Sequence, residues 1–458
     1  MVDAILERAW ALKQSVTDFV FDAEGELAEA LETYVADYLK RGKVAQDLIV
    51  DTFLVEGRIG EHTPLDLFER EQATEFTDVD HQLLQQWRRT FTGLFAIETV
   101  SPDGIELMNW LTAKHYTAKL SQAQASSDMA IRLKPGEIVL ARLAPIADDI
   151  WMFSTTFTLL GKLGKPKLAV AIGNFKEHHK PFLYADAPDL LEAAWGSVES
   201  YHHAFVEFFG GDEVTLPGYQ LNQKMDEFRE FMLKRQFTEA GLEEPTSLED
   251  LMIDIDVDEA DLDEAELNEA AQAAGVDAKD LAQALKQRRE KNSNNGSSKG
   301  SSKMALPEIQ LPDTLKKAEQ VTVLTHPRWG QIMLPNYEKF KAILANPDGQ
   351  PTTNAEPLVR HYLETSTITP FVWQRLAQHH PEGLEQVLQT VLDRPNFQLE
   401  QDLSSLLQEY GKPVEPELPE IASVPLHLHT LFDEAVKEVN KSKPKGKEKA
   451  KKAGFGAR

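Results

Sequence analysis

The chain contains no cysteine among its 458 residues. That absence removes disulfides, thiolate nucleophiles and cysteine-ligated metal sites from the candidate functions. Long apolar runs are missing too, and without a run of about 18 apolar residues the sequence predicts no membrane span. The first residues carry acids where a secretory signal has a basic segment and an apolar core, so we expect no such signal and a cytoplasmic location.

Positive charge is scarce: 48 lysines and arginines face 74 aspartates and glutamates, a formal net charge of −26. The negative electrostatic field of this charge repels the phosphates of nucleic acids and of anionic lipids. The exception is the segment 441–458, which is basic, and we expect it to be a disordered tail. Tails of this kind contact RNA, ribosomes or acidic protein surfaces, or fold back on an acidic core.

Residues 1–93 have the pattern of amphipathic helices. Between residues 5 and 20, apolar side chains recur every three or four positions, at Ile5, Leu6, Ala9, Leu12, Val16, Phe19 and Val20. That spacing puts one apolar face on a helix. We predict a helical N-terminal region here.

The period changes within residues 94–238. The turn signal Ser101-Pro102-Asp103-Gly104 separates two strand-like runs, and about three more short strands follow it. Short strands at this spacing predict a small antiparallel β-barrel or a strongly bent sheet. Two amphipathic helical segments then follow, and we predict that they pack on the barrel and form one folded unit with residues 1–93.

Beyond this unit the composition divides the chain again. Residues 239–303 are first acidic and then rich in serine, glycine and lysine, which predicts a flexible linker. Within residues 304–440 the stretch VTVLTHPRWGQIML has the pattern of two short strands, and short helical segments separated by proline and glycine follow it, so we predict an α-rich C-terminal domain. The predicted fold class is therefore α+β, with a helical N-terminal region, a small barrel, an acidic linker and a mostly helical C-terminal domain.

The acidic linker contains one local pattern. Apolar residues occupy every second position at Leu251, Ile253, Ile255 and Val257, with acidic residues between them from Ile253 onward. A calcium loop begun at Asp254 lacks the central glycine and the final glutamate of an EF-hand. We predict instead that this alternation adds a strand or a short helix to a basic edge of a protein partner.

Other candidate sites are fewer. In the basic tail, Lys449, Lys451, Lys452 and Phe455 are candidate partner-binding residues. If the strands turn Trp110 and Trp151 outward, we expect these two side chains to line a ligand groove. The alternative is that they pack in the barrel core, as aromatic side chains usually do. We assign no catalytic residue, no metal site and no cofactor, because no nucleophile, phosphate or metal motif has the required spacing.

Three functions are consistent with these patterns. The leading hypothesis is a non-enzymatic binding or assembly factor that acts through protein–protein contacts, with two folded modules joined by an acidic tether. The second is a protein that associates with RNA or the ribosome through the small barrel and the basic tail. The third is a hydrolase with its site between the barrel and its helices.

Overall fold

The protein is described by a computed structural model, which covers residues 2–41, 46–72, 76–126, 132–239, 304–305, 311–345 and 355–442. Contacts within the chain define two compact units. Unit 1 comprises Met1–Ala193 with Val424–Arg458, and unit 2 comprises Ala194–Ser423. Helix α8, Pro188–Phe209, contains the boundary between them.

Unit 1 is built from helices around a barrel. Its helices are α1 Val2–Phe21, α2 Glu26–Arg41, α3 Gln46–Glu56, α4 Pro64–Gln72, α5 Asp78–Trp87, α6 Gln122–Ala125, α7 Lys165–His178 and the start of α8. Its barrel strands are β1 Phe91–Ser101, β2 Gly104–Asn109, β3 His115–Lys119, β4 Ile138–Pro145, β5 Ile150–Phe153 and β6 Thr158–Gly161.

The barrel closes because β1 pairs on both sides. Its second half pairs with β2 and its first half pairs with β4, giving the closed order β1-β2-β3-β5-β4-β1 with β6 added beside β4. Every pair is antiparallel except β3 with β5, which run parallel. The prediction of a small β-barrel within an α+β fold is confirmed, with this one parallel pair as an addition to it.

The hairpin between β1 and β2 turns where the sequence predicted it. Ser101 pairs with Gly104, and the Ser101 hydroxyl donates a hydrogen bond to the Gly104 carbonyl oxygen at 3.0 Å. Past the turn, alternate residues of β2 and β3 enter the core, with Leu107 and Tyr116 buried in it. Strand alternation of this kind fills the barrel with one set of side chains and leaves the other set outside.

The N-terminal helices cover the outer side of β4 and β5. Buried residues of α1 to α5 form one apolar cluster with Ala144 of β4, Met152 of β5 and Ile146, which directly follows β4. Arg8 of α1 also pairs with both oxygens of Asp80 in α5, at 2.7 and 2.8 Å. Asp80 is fully buried, and the Arg8 hydrogen bond lowers the pKa of its carboxyl to about 2.

Unit 2 has a three-stranded sheet and a helical core. Its helices are the rest of α8, α9 Gly218–Glu239, α10 Asp313–Lys316, α11 Tyr337–Leu344, α12 Ala355–Glu364, α13 Pro370–His379, α14 Pro381–Val391 and α15 Leu399–Glu409. Its strands are β7 Glu213–Leu216, β8 Met304–Ala305, β9 Val321–His326 and β10 Gly330–Leu334. The sheet order is β10-β9-β7, and the core lies between β9, β10 and helices α11 to α15.

Three elements contact segments that are distant in the sequence. Strand β7 pairs with β9 in unit 2, more than 100 residues further along the chain. The last elements, β11 Val424–Pro425 and α16 Leu426–Ser442, belong to unit 1, where Leu428 and Leu431 enter the barrel core. Residues 240–303, which hold nearly all of the predicted linker, lie outside the described residues.

None of the helices in the described part of the chain combines the length and the apolar character that crossing a bilayer requires.

Candidate functional site

Three charged residues of unit 1 stand inside apolar runs of the sequence. Lys13 lies on the apolar face of α1, four residues after Ala9 and three before Val16. Asp51 follows Leu-Ile-Val in α3, and Arg142 lies within the β4 run Ile-Val-Leu-Ala-Arg-Leu-Ala-Pro. All three are buried, which charged residues almost never are unless they are paired. This local signal was available in the sequence, and our sequence analysis missed it.

Asp51 is the centre of the resulting charge cluster. Its carboxylate accepts a hydrogen bond from Arg142 Nε at 2.9 Å and from the Ser154 hydroxyl at 2.9 and 3.0 Å. The Lys13 ammonium lies 2.7 Å from the Oδ1 atom of Asp51. Two cations and a hydroxyl therefore surround one carboxylate, and together they connect α1, α3, β4 and the residues after β5.

Arg142 extends the cluster with its other nitrogens. Its Nη2 atom lies 3.1 Å from Glu56 Oε1, and its Nη1 atom donates to the Thr92 hydroxyl at 3.3 Å. The guanidinium also lies over the ring of Phe182, 5.3 Å from the ring centroid. Burial raises the pKa of the Glu56 carboxyl, while Arg142 opposes that rise. The guanidinium thus contacts two carboxylates, one hydroxyl and one aromatic ring.

Lys13 is less completely paired than Arg142. Its side chain is only 3% exposed and lies over the Trp87 ring, 5.0 Å from the ring centroid. Apart from its close ion pair with Asp51, the ammonium has no hydrogen-bond acceptor among the described residues. Burial lowers the pKa of the amine, although the Asp51 charge opposes that shift. Retaining a cation here costs free energy, because a buried charge loses its hydration.

A cleft of about 760 Å³ opens beside this cluster. Its walls come from α1, α3, α6 and the segment that follows β5, and both Lys13 and Asp51 contribute to its lining. Trp10, Phe21, Val50 and Phe157 give the cleft an apolar part. A cleft of this size, apolar with a few polar groups, has the general character of a ligand site. We refer to it below as the α1–α3 cleft.

The rim of the α1–α3 cleft carries a second carboxylate, Asp47. It accepts hydrogen bonds from the hydroxyls of Thr155, at 2.8 Å, and Thr156. Burial works to raise the pKa of the Asp47 carboxyl, but hydrogen bonds from Thr156, Thr155 and the Leu48 amide together hold it below the ordinary value. The Asp47 carboxylate is therefore ionised and already hydrogen-bonded, an arrangement suited to binding a ligand rather than to transferring protons to it.

The two tryptophans predicted to line a groove lie elsewhere in unit 1. Trp151 is 3% exposed and packs in the barrel core, with its ring centroid 5.2 Å from that of Tyr116. Trp110 is half-buried, and its carbonyl oxygen accepts a hydrogen bond from His427 Nε2 at 2.8 Å. Neither residue belongs to the lining of the α1–α3 cleft.

The remaining predicted site residues belong to the acidic linker and the basic tail. Leu251, Ile253, Ile255 and Val257 of the acidic linker lie outside the described residues. The same is true of the tail residues Lys449, Lys451, Lys452 and Phe455. Among the residues that are described, no three histidine, aspartate or glutamate side chains are grouped so as to hold one metal ion.

Comparison of the chain with protein-family models, with curated proteins and with solved structures found no match.

Proposed function

We propose that the protein is a binding factor that acts through protein–protein contacts, and that the α1–α3 cleft receives a peptide segment of its partner. The proposal extends the leading hypothesis from the sequence to a particular surface. The observation that carries it is the composition of the cleft: an apolar part next to hydroxyl, amide and charged groups. Peptide segments need both, because their side chains are buried while their backbone groups must be hydrogen-bonded.

Phe21 is the position at which this proposal can be tested. Its side chain contributes to the cleft and is 54% exposed. Aromatic side chains at the edge of a binding site provide large contact area, and they are common among the residues that dominate binding energy. A bound segment is therefore expected to cover Phe21.

The experiment replaces Phe21 by the photocrosslinking amino acid p-benzoylphenylalanine in the full chain, expressed in its native cell. Irradiation is expected to produce a discrete crosslinked protein, and mass spectrometry of the product should identify a contact peptide from that partner. Leu39 of α2 is the matched control, since it is also 54% exposed but does not contribute to the cleft. The same photocrosslinker at Leu39 should not give this product.

Two results would contradict the proposal. One is a crosslink pattern at position 21 that matches the pattern at position 39, which indicates contact by chance collision. The other is a product from position 21 that contains only this chain's own peptides or a non-protein molecule. In either case the α1–α3 cleft is not a site for a protein partner.

A second candidate function, binding to RNA, is favoured by the strand order of the barrel. The order β1-β2-β3-β5-β4-β1 with β3 parallel to β5 is that of OB-type barrels, many of which bind oligonucleotides on the outer face of β2 and β3. The charges on this face are unfavourable, however. Glu106 lies on it, hydrogen-bonded to Thr117, and Lys119 is paired with Asp3 of α1.

The RNA hypothesis is tested by a gel-shift titration with single-stranded RNA over a range of salt concentrations. If RNA is the ligand, affinity falls steeply with salt, and truncation after residue 442 makes that dependence shallower because it removes tail cations. If no complex forms at low salt, this second candidate is wrong.

A further inference from the structure

Negative charge lies beside the aromatic part of the α1–α3 cleft. The four buried charges of the neighbouring cluster, two cations and two carboxylates, cancel one another when all are ionised. Asp47 is outside that cluster and adds a negative charge to the lining. Asp18 precedes Phe21 by one helical turn and Asp22 directly follows it, and both are exposed. A segment that binds beside Phe21 therefore meets carboxylates, and positive charge favours its binding.

The same sign of charge extends along α1 and α2. Residues 2–39 contain nine aspartates and glutamates but only two basic residues. Both basic residues are already paired, Arg8 with Asp80 of α5 and Lys13 with Asp51 of α3. The surface of these helices is therefore acidic, and it selects a basic segment over an acidic one.

The chain itself contains a segment of the complementary kind. Residues 443–458 follow α16 and lie outside the described part of the chain. They contain seven lysines and arginines, one glutamate and one aromatic residue, Phe455. Residues 240–303 also lie outside that part, but they match the cleft less well because they are rich in acids and contain no aromatic residue. An aromatic side chain among cations is the combination that aromatic rings and carboxylates bind.

The basic tail is attached to unit 1 and is long enough to reach its surfaces. Helix α16 belongs to unit 1, where Leu428 and Leu431 enter the barrel core. Phe455 is 13 residues beyond Ser442, the last residue of α16, and an extended chain of that length spans about 40 Å. A folded unit of about 200 residues has a radius of gyration of about 16 Å, so the span is more than twice that radius. This length is sufficient to bring Phe455 to the cleft of the same chain.

We propose that the basic tail, residues 443–458, binds in the α1–α3 cleft of its own chain, with the Phe455 ring against Trp10 and Phe21, and thereby excludes the partner segment. The exclusion rests on the proposed function, because it presupposes a partner segment. A short tether gives the tail an effective concentration of about 1 mM. A contact with a Kd of about 100 µM then fills the cleft about nine-tenths of the time, which lowers the apparent affinity of a competing segment about tenfold.

The first measurement places p-benzoylphenylalanine at position 455 of the purified full chain. After irradiation, mass spectrometry should find its internal crosslinks concentrated on the peptides that contain Trp10, Phe21 or Asp47. Ala450 is the matched control position, because it has the same basic surroundings but does not replace the aromatic residue. The photocrosslinker at position 450 should not show this concentration.

A pair of variants identifies the cleft as the place of contact. Phe21→Ala should reduce the cleft crosslinks from position 455 about fivefold, because a central aromatic contact is lost. Leu39→Ala changes an equally exposed residue that does not contribute to the cleft, and it should leave them unchanged. Both residues are on the surface, so neither change is expected to unfold unit 1.

The second measurement concerns exclusion of the partner and uses the photocrosslinker at position 21 in the native cell. Addition of Phe455→Ala to that chain should raise the yield of the partner product by up to about tenfold, because the tail then competes less well. Ala450→Gly, a change elsewhere in the tail, should leave the yield as it was.

Three results would overturn the proposal. The crosslinks from position 455 lie outside the cleft or match those from position 450; a mixture of isotope-labelled and unlabelled chains shows that they join two chains; or Phe455→Ala leaves the partner yield unchanged. The proposed function fails separately. If position 21 gives no partner product while position 455 still crosslinks to the cleft, the partner is refuted and the tail contact stands.

Discussion

Removal of the Arg142 guanidinium should severely destabilise unit 1. Arg142 is fully buried and makes side-chain hydrogen bonds at 2.9, 3.1 and 3.3 Å. Arg142→Met keeps most of the side-chain volume but removes the cation that pairs with Glu56 and leaves Asp51 with Lys13 alone. Breaking a buried ion pair from one side costs about 3–5 kcal/mol. We expect the free energy of unfolding to fall by about 3 kcal/mol, the lower end of that range, because Lys13 and Ser154 still contact Asp51.

The control for this variant is an exposed ion pair of the same unit. Arg88 lies 2.7 Å from Asp66, and its side chain is 53% exposed. Arg88→Met should reduce the free energy of unfolding by less than about 1 kcal/mol, because solvent screens such pairs. The two variants therefore remove the same chemical group at similar ion-pair distances and differ mainly in burial.

Urea unfolding with pulsed hydrogen–deuterium exchange and mass spectrometry measures the effect, since it follows peptides of unit 1 and unit 2 separately. The Arg142→Met effect should also depend on pH. The pKa of Glu56 is already raised in the folded chain, and loss of Arg142 raises it further. Ionising Glu56 then opposes folding, so destabilisation should be larger at pH 8 than at pH 5. The reasoning is refuted if Arg142→Met and Arg88→Met have equal effects on unit 1.

Two further predictions concern other parts of the fold. Arg8 lowers the pKa of the Asp80 carboxyl to about 2. The ionised carboxylate therefore adds to the free energy of unfolding above about pH 4, and that addition disappears as pH falls toward 2. Asp80→Asn should therefore cost about 1–2 kcal/mol at pH 7 and nearly nothing at pH 2, measured by urea unfolding; a constant cost across that range would contradict the assignment. In unit 2, a Cβ atom on Gly383 would lie 2.0 Å from the Leu344 carbonyl oxygen, whereas one on Gly173 of α7 meets nothing within 4 Å. Thermal unfolding should show Gly383→Ala destabilising its unit by about 1–3 kcal/mol and Gly173→Ala stabilising its own by up to about 1 kcal/mol, and effects of the same sign would be inconsistent with this packing.

Local sequence patterns were sufficient to predict the elements that depend only on residues close to one another in the sequence. The spacing of apolar residues from Leu6 to Val20 predicted α1, and Ser101 to Gly104 predicted the first hairpin. Helix periodicity and turn chemistry act over a few residues, so a single segment contains the information. The α+β class and the small barrel follow from the same patterns.

The candidate site depends on distances that no local pattern contains. Lys13, Asp51 and Arg142 were each visible as charges in apolar runs, but 91 residues separate Asp51 from Arg142 and 103 separate it from Ser154. Pairing of β7 with β9, and the place of α16 in the barrel core, are likewise long-range contacts. The amino-acid sequence by itself determined the α+β class, helix α1, the first hairpin and the small barrel. Only the tertiary structure decided that these three charges meet beside a cleft, because their meeting depends on how α1 and α3 pack on β4.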